Sequence, residues 1–251
     1  MLVLLLPLLQ AAGQLPDASE ILNKCRDLSI TNSLSATINL TITERSGATR
    51  SRTISMTSKS YQDGQEKRFI RFIEPADVKG TAMLVIDNKN SADEMWIYLP
   101  ALKRTRRIVS SEKGKSFMSS EFSNADMSSP AVTDFSNRHL DNSGKNGQWV
   151  IESVPSTDMI ADEYGYSKKI NYVDAEKFQI IRMEFYNFDN QLYKVIEITA
   201  TSPLSGGRYL VKDMTSSNLL TGRKSRILFT DVREGVKVDD SFFTVQNLER
   251  F

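Results

Sequence analysis

Thr37-Ile38-Asn39-Leu40-Thr41-Ile42-Thr43 is the stretch whose reading decides the fold. Ile38, Leu40 and Ile42 occupy every second position, and Thr37, Asn39, Thr41 and Thr43 fill the places between them. Side chains of an extended chain point alternately to opposite sides, so this period of two describes a half-buried strand. The three apolar residues face inward and the polar ones outward.

The pattern continues outward from this strand. A turn around Ser46-Gly47 leads to 52–58, where Ile54 and Met56 keep the alternation. Further strand-like runs cover 67–73, 82–87, 94–99 and 104–109, then 149–154, 166–173, 180–186, 192–199, 209–215 and 223–232. Turn signals separate many of them, among them Asp63-Gly64, Asp87-Asn88, Asp189-Asn190, Gly206-Gly207 and Glu234-Gly235. Short strands at this spacing without long helices between them predict a mainly β (α+β) fold, with consecutive antiparallel strands in one strongly curved sheet or barrel. One short helix is expected over 18–29, where Asp17-Ala18-Ser19-Glu20 is a capping-box-like start and Leu22, Cys25 and Leu28 recur at helical spacing. Cys25 reads as a small apolar residue on that stripe. No linker divides the chain, so 14–251 reads as one domain.

Composition removes several chemistries. The 251 residues are 40% hydrophobic and 25% charged, ordinary globular values. Lys+Arg 32 against Asp+Glu 31 leaves +1, so no bulk charge asks for nucleic acid. A single histidine, His139, excludes a multi-histidine metal site, and a single cysteine excludes an internal disulfide or a Cys-rich zinc site. No phosphate-binding or dinucleotide glycine motif appears, so no cofactor is expected. Asp93-Glu94 and Asp239-Asp240 are adjacent carboxylates, which on a strand point to opposite faces and make poor catalytic couples. The chain is therefore not expected to be an enzyme. Carboxylates brought together from distant strands leave a hydrolase open as a weaker reading.

Residues 2–9 form an apolar run too short to span a bilayer, followed by small residues at Ala11 and Gly13. That is the pattern of a secretory signal peptide over 1–13 with a cut after Gly13, although no Lys or Arg precedes the run. An exported, periplasmic protein is expected. In contrast, 111–147 is rich in Ser, Asn, Gly and Lys and shows no clear alternation. A stretch of that length in a compact domain reads as a lid or insert, with Phe117 and Met118 apolar enough to dock.

Two further features invite function. Lys103-Arg104-Thr105-Arg106-Arg107 is the one strong charge cluster, and Lys103, Arg104, Arg106 and Arg107 are candidates for contact with anionic head groups or an acidic partner. Met95-Trp96-Ile97-Tyr98-Leu99 is apolar on both strand faces and needs cover on both. Trp96 and Tyr98 share one of those faces, and they join the cavity candidates, although the segment itself does not say which face looks inward.

The run from Trp96 to Ile108, together with 117–123 and Asp126, resembles the bacterial outer-membrane lipoprotein-sorting protein family, relatives of the periplasmic carrier LolA. The segment 71–81, the Tyr166-Ser167-Lys168-Lys169 segment and the closing 238–243 match as well, so the resemblance covers about 60–251. Ser119, Glu121 and Ser123-Asn124-Ala125-Asp126 depart from the family's usual Gly, Asp and Ser-Tyr-Glu-Asp. The resemblance implies an incomplete antiparallel β-barrel wrapped around helices, with a hydrophobic cavity that carries lipid or lipoprotein acyl chains towards the outer membrane. It also implies an inner-membrane RND-type or ABC lipid exporter as partner. Cavity contacts are then expected from Ile38, Leu40, Ile42, Ile54, Met56, Trp96, Tyr98, Phe117, Met118, Met183 and Phe185, in a chain that works as a monomer. The competing reading is a non-catalytic docking module of an envelope lipid-export complex, which would have a filled core instead of a hollow.

Overall fold

In a computed structural model, described over residues 15–88, 92–141 and 143–250, thirteen strands form a single antiparallel, open and curved sheet. The expected signal segment 1–13 lies outside the described residues. β1 (Ser33–Thr43), β2 (Thr49–Ser60), β3 (Glu66–Glu74), β4 (Ala82–Asp87), β5 (Glu94–Leu99) and β6 (Arg104–Arg107) follow one another outward to one edge. β7 (Phe135–His139) is the other edge. From it β8 (Gln148–Pro155), β9 (Lys168–Asp174), β10 (Gln179–Tyr186), β11 (Leu192–Pro203), β12 (Tyr209–Asn218) and β13 (Lys224–Glu234) return to the middle. There β13 pairs with β1, Leu40 opposite Ile227 and Ile42 opposite Ser225.

Alternation is strict where it was read first: every second residue of β1, from Leu34 to Ile42, is buried. These residues join Ile54 and Met56 of β2, Ile70 and Phe72 of β3, and Met83 and Val85 of β4 in the inner core. On β5 the inner face is Met95, Ile97 and Leu99. Trp96 and Tyr98 point the other way. They belong to a separate outer cluster with Phe69, Leu84, Phe243 and Leu248, covered by 3-10 turns at Asp240–Phe242 and Val245–Glu249. Arg71 fastens that cover by donating to the carbonyls of Asn247 (3.1 Å) and Leu248 (3.3 Å).

The helix α1 (Ala18–Ser29) starts where Asp17 Oδ1 accepts from the N–H groups of Ser19 (2.9 Å) and Glu20 (3.0 Å). Ala18, Ile21, Leu22 and Cys25 form its buried stripe, which sits on Trp149, Ile151 and Val173 of β8 and β9. A second short helix, α2 (Ser110–Lys113), follows β6, and α3 (Asp158–Tyr164) joins β8 to β9. Alternation does not reveal α3, but its ends are conventional. Thr157 Oγ1 accepts from Ile160 N–H at 3.2 Å, and Gly165 closes the helix in the left-handed region at φ 76°. Gly114, at the end of α2, lies against this turn so closely that a Cβ there would meet Tyr164 O at 2.9 Å. No helix among the described residues is long and apolar enough to cross a membrane.

The stretch 111–147 is not one loop. Its last part contains β7, which pairs with β8, while 115–132 lies across the inner face of the sheet. Phe117, Phe122 and Ala125 are buried there in the main core, with Met118 and Met127 beside them.

Candidate functional site

A hollow of about 350 Å³ remains on the inner face, between the sheet, α1 and the segment 126–132. Its size falls in the usual range of ligand sites. The sheet contributes Ile38, Met56, Ile70, Met183, Met214 and Phe229; α1 contributes Leu22 and Cys25. These residues arrive together because each occupies an inward position of its strand or the buried stripe of the helix.

Of the residues anticipated as cavity contacts, Ile38, Met56 and Met183 line this hollow. Leu40, Ile42, Ile54 and Phe185 share the inner face but are packed into solid core with Phe117, whose ring centroid is 5.9 Å from that of Phe72. Met118 adopts φ 49° beside that core, and its carbonyl accepts from the Arg52 guanidinium. Trp96 and Tyr98 are removed from the hollow altogether, because β5 turns its odd-numbered residues inward.

The basic cluster forms the open edge of the sheet. Lys103 ends a 3-10 turn over Pro100–Leu102 at φ 46°, and Arg104–Arg107 is β6 itself. Arg104 and Arg107 are exposed, while Arg106 pairs with Glu112 at 2.5 Å. The Arg107 guanidinium lies 6.0 Å from the Trp96 ring, a cation–π contact on the outer face.

Sequence reasoning missed the charged groups on the inner face. Arg68 reaches Glu66 and Asp87 at 2.7 Å each, donates to the carbonyl of Met127 at 2.7 Å and to Ser129 Oγ at 3.1 Å. Glu66 also accepts from Thr31 Oγ1 at 3.1 Å. Burial pushes the Asp87 carboxyl up to about 7, against the pull of Arg68. Burial also works against the Arg68 charge, but Asp87 and Glu66 outweigh it and raise its pKa above the ordinary value. Two carboxylates do meet here, yet both are buried and committed to one guanidinium. That arrangement holds the segment 127–129 in place.

The rest of the insert is fixed in the same manner. Lys194 Nζ meets Asp126 Oδ2 at 2.9 Å, Ser225 Oγ accepts from Glu121 N–H at 2.9 Å, and Arg223 reaches Glu121 at 2.7 Å. Ser216 Oγ donates to the Glu121 carbonyl at 2.9 Å. The signal available in the sequence was parity: on β3, Glu66 and Arg68 share the face of Ile70 and Phe72.

The remaining reactive groups are quiet. Burial pushes the Cys25 thiol up to about 12, which removes the thiolate a nucleophile needs. His139 is half-buried, its ring nitrogens within 2.6 Å of Ser143 Oγ and 2.7 Å of the Pro16 carbonyl. Among the described residues no group of His, Cys, Asp and Glu has the arrangement of a metal site.

An open, curved antiparallel sheet of thirteen strands with three short helices is a LolA-like fold. Solved structures agree. An outer membrane lipoprotein-sorting protein domain from Vibrio parahaemolyticus is 26% identical with a TM-score of 0.84, covering 93% of this chain and 98% of its own. A DUF1329 family protein from Desulfovibrio piger is 25% identical with a TM-score of 0.81, covering 92% and 97%. A LolA superfamily protein from Nitrosomonas europaea shares the fold at 18% identity, with a TM-score of 0.68 over 90% and 97%. No curated protein matches the chain. Residues 64–250 match a family model whose description reads "uncharacterized protein", a DUF1329-like family, and the chain belongs to that family.

Proposed function

We propose that the chain is a periplasmic carrier that takes lipid acyl chains, or the acyl chains of a lipoprotein, into the hollow for transport towards the outer membrane. It does so as a monomer and without catalysis, exchanging cargo with an inner-membrane exporter of the RND or ABC type. The observation that carries this reading is the apolar hollow of about 350 Å³ under α1. Each methylene moved from water into such a space gains about 0.8 kcal/mol, so a chain of a dozen gains about 10 kcal/mol before ordering costs. Binding of that strength requires a handover step that lowers affinity. The exposed basic edge at Lys103, Arg104 and Arg107, with Arg106 behind it, is the proposed contact for head groups or an acidic partner surface during that step.

One observation favours the docking-module reading instead: Phe117 and Phe122 of the insert already fill the region of Leu40, Ile42 and Ile54. Photo-crosslinking residues at Ile38, Met56 and Met183 separate the two. In cells, a carrier captures lipid at these sites and not at Thr41 or Glu184 on the outer face. Absence of capture at all three inner sites leaves the docking module standing.

A further inference from the structure

One wall of the hollow is polar. Lys169 and Asn171 of β9 line it, with Ser153 of β8 opposite Lys169 in register. Asn171 and Ser153 satisfy each other, Nδ2 donating to Oγ at 2.9 Å. Lys169 is different. Its ammonium lies 4.6 Å from the centre of the Phe135 ring, and among the described residues no carboxylate stands within ion-pair distance of it.

The charged groups that face Lys169 are Asp126, Asp134 and Lys194. Both carboxylates are already engaged. Asp126 accepts from Lys194 at 2.9 Å and from Ser123 N–H at 2.7 Å, and Asp134 accepts from the Tyr164 hydroxyl at 2.8 Å. Burial lowers the Lys169 pKa to about 8, which still leaves it mainly charged at neutral pH. Across the hollow, Arg26 of α1 presents a buried Nε without a hydrogen-bond partner. Asp126 and Asp134 favour the Lys169 charge from beyond ion-pair distance, and an anion arriving with the ligand would supply the direct pair that the buried ammonium lacks.

We infer that the hollow takes an acidic amphiphile, an apolar chain ending in a carboxylate or phosphate, whose anion pairs with Lys169. This rests on the acyl-carrier reading and narrows it. A free anion leaves the apolar part of the lining, Ile38, Met183 and Phe229, without a partner. A neutral lipid leaves the ammonium unpaired.

Calorimetric titration of the full chain with dodecanoate, dodecyl phosphate and dodecanol tests the inference. The better-bound of the two anions identifies the head group, and both share the tail of the alcohol. Wild-type protein is expected to bind at least one anion about tenfold or more tighter than dodecanol, the usual worth of a charge-assisted hydrogen bond. Lys169→Met abolishes that preference while binding dodecanol as before, and Lys169→Arg keeps it. Equal wild-type affinity for all three overturns the anion site and leaves the acyl hollow intact, as does a Lys169→Met variant that keeps the preference. Failure of all three ligands to bind overturns the acyl-carrier reading and the inference with it.

Discussion

Removing the carboxylate of Asp126 should unseat the insert. Lys194 is 7% exposed and Asp126 14% exposed as side chains, and they meet at 2.9 Å over the Phe185 ring, whose centre is 4.1 Å from the ammonium. Asp126→Ala leaves that ammonium buried beside the equally unpaired Lys169. Stranding one member of a buried ion pair costs about 3–5 kcal/mol. In a domain of this size each kcal/mol lowers Tm by about 2–4 °C, so a drop of roughly 10 °C is expected. The loss of the Ser123 N–H acceptor adds to it. Thermal unfolding by circular dichroism measures the total. Hydrogen exchange locates it, with the amides of Phe117 and Asn124, bonded to Phe122 O and Lys115 O, losing protection first. The double variant Asp126→Ala/Lys194→Met should recover most of the loss, because no charge is then stranded. A single variant within about 1 kcal/mol of wild type, or a double variant no more stable than the single one, would refute the anchoring argument.

Reversing charge at Arg104, Arg106 and Arg107 to Glu should slow transfer of lipid between the protein and anionic vesicles while changing Tm little. The half-exposed Arg106–Glu112 pair and the Arg107–Trp96 cation–π contact are lost, surface contacts worth about 0–1 kcal/mol each; a variant that unfolds instead makes the cluster structural. The raised pKa of Asp87 means that the folded protein keeps a proton the unfolded chain has released. Its contribution is complete below about pH 4 and is lost as the pH rises through about 7. Urea midpoints of wild type should therefore fall relative to Asp87→Asn across that window, and a constant gap between the two would contradict the assignment. Gly114→Ala places a methyl against Tyr164 O and should cost about 1–3 kcal/mol in denaturant unfolding, a penalty absent from Gly47→Ala measured against the strain of its own positive φ, since no atom lies within 4 Å there.

The sheet was legible because most of its strands are covered on one side, and half-burial writes itself into the sequence with period two. Each strand except β7 falls on a run that alternation or apolar content marks. β7, Phe135-Ser136-Asn137-Arg138-His139, hides because it is an edge strand with one buried side chain, Phe135. The helix α3 hides for another reason: seven residues hold too few apolar positions for periodicity, although Thr157 and Gly165 mark both ends. Inward direction was readable at Ile38, Leu40 and Ile42, but whether an inward side chain lines a void or meets Phe117 depends on where the insert comes to rest. The faces of Trp96 and Tyr98 could not be sorted locally, since β5 is covered by apolar residues on both sides. Glu66 and Arg68 on β3 and Lys169 and Asn171 on β9 sit at inward positions where alternation predicts apolar residues, and that breach of pattern marks the polar lining in the sequence.

Strand order also sets the sequence of events by which the chain folds. Every neighbouring pair in the sheet is consecutive along the chain except β1 with β13, so each half zips from local hairpins, and the halves meet through one distant pairing. Glu44 and Arg223, which meet at the end of that seam, are 179 residues apart, and closing a loop of such length costs about 5 kcal/mol of chain entropy. The insert's anchors are divided between the halves, Arg52 and Arg68 on one side and Lys194, Ser216, Arg223 and Ser225 on the other. The insert therefore finds its full seat only after the seam has closed. Changes at its anchors should leave the rate of folding nearly untouched and appear almost wholly as faster unfolding, which makes this segment the determinant of how long the folded chain persists.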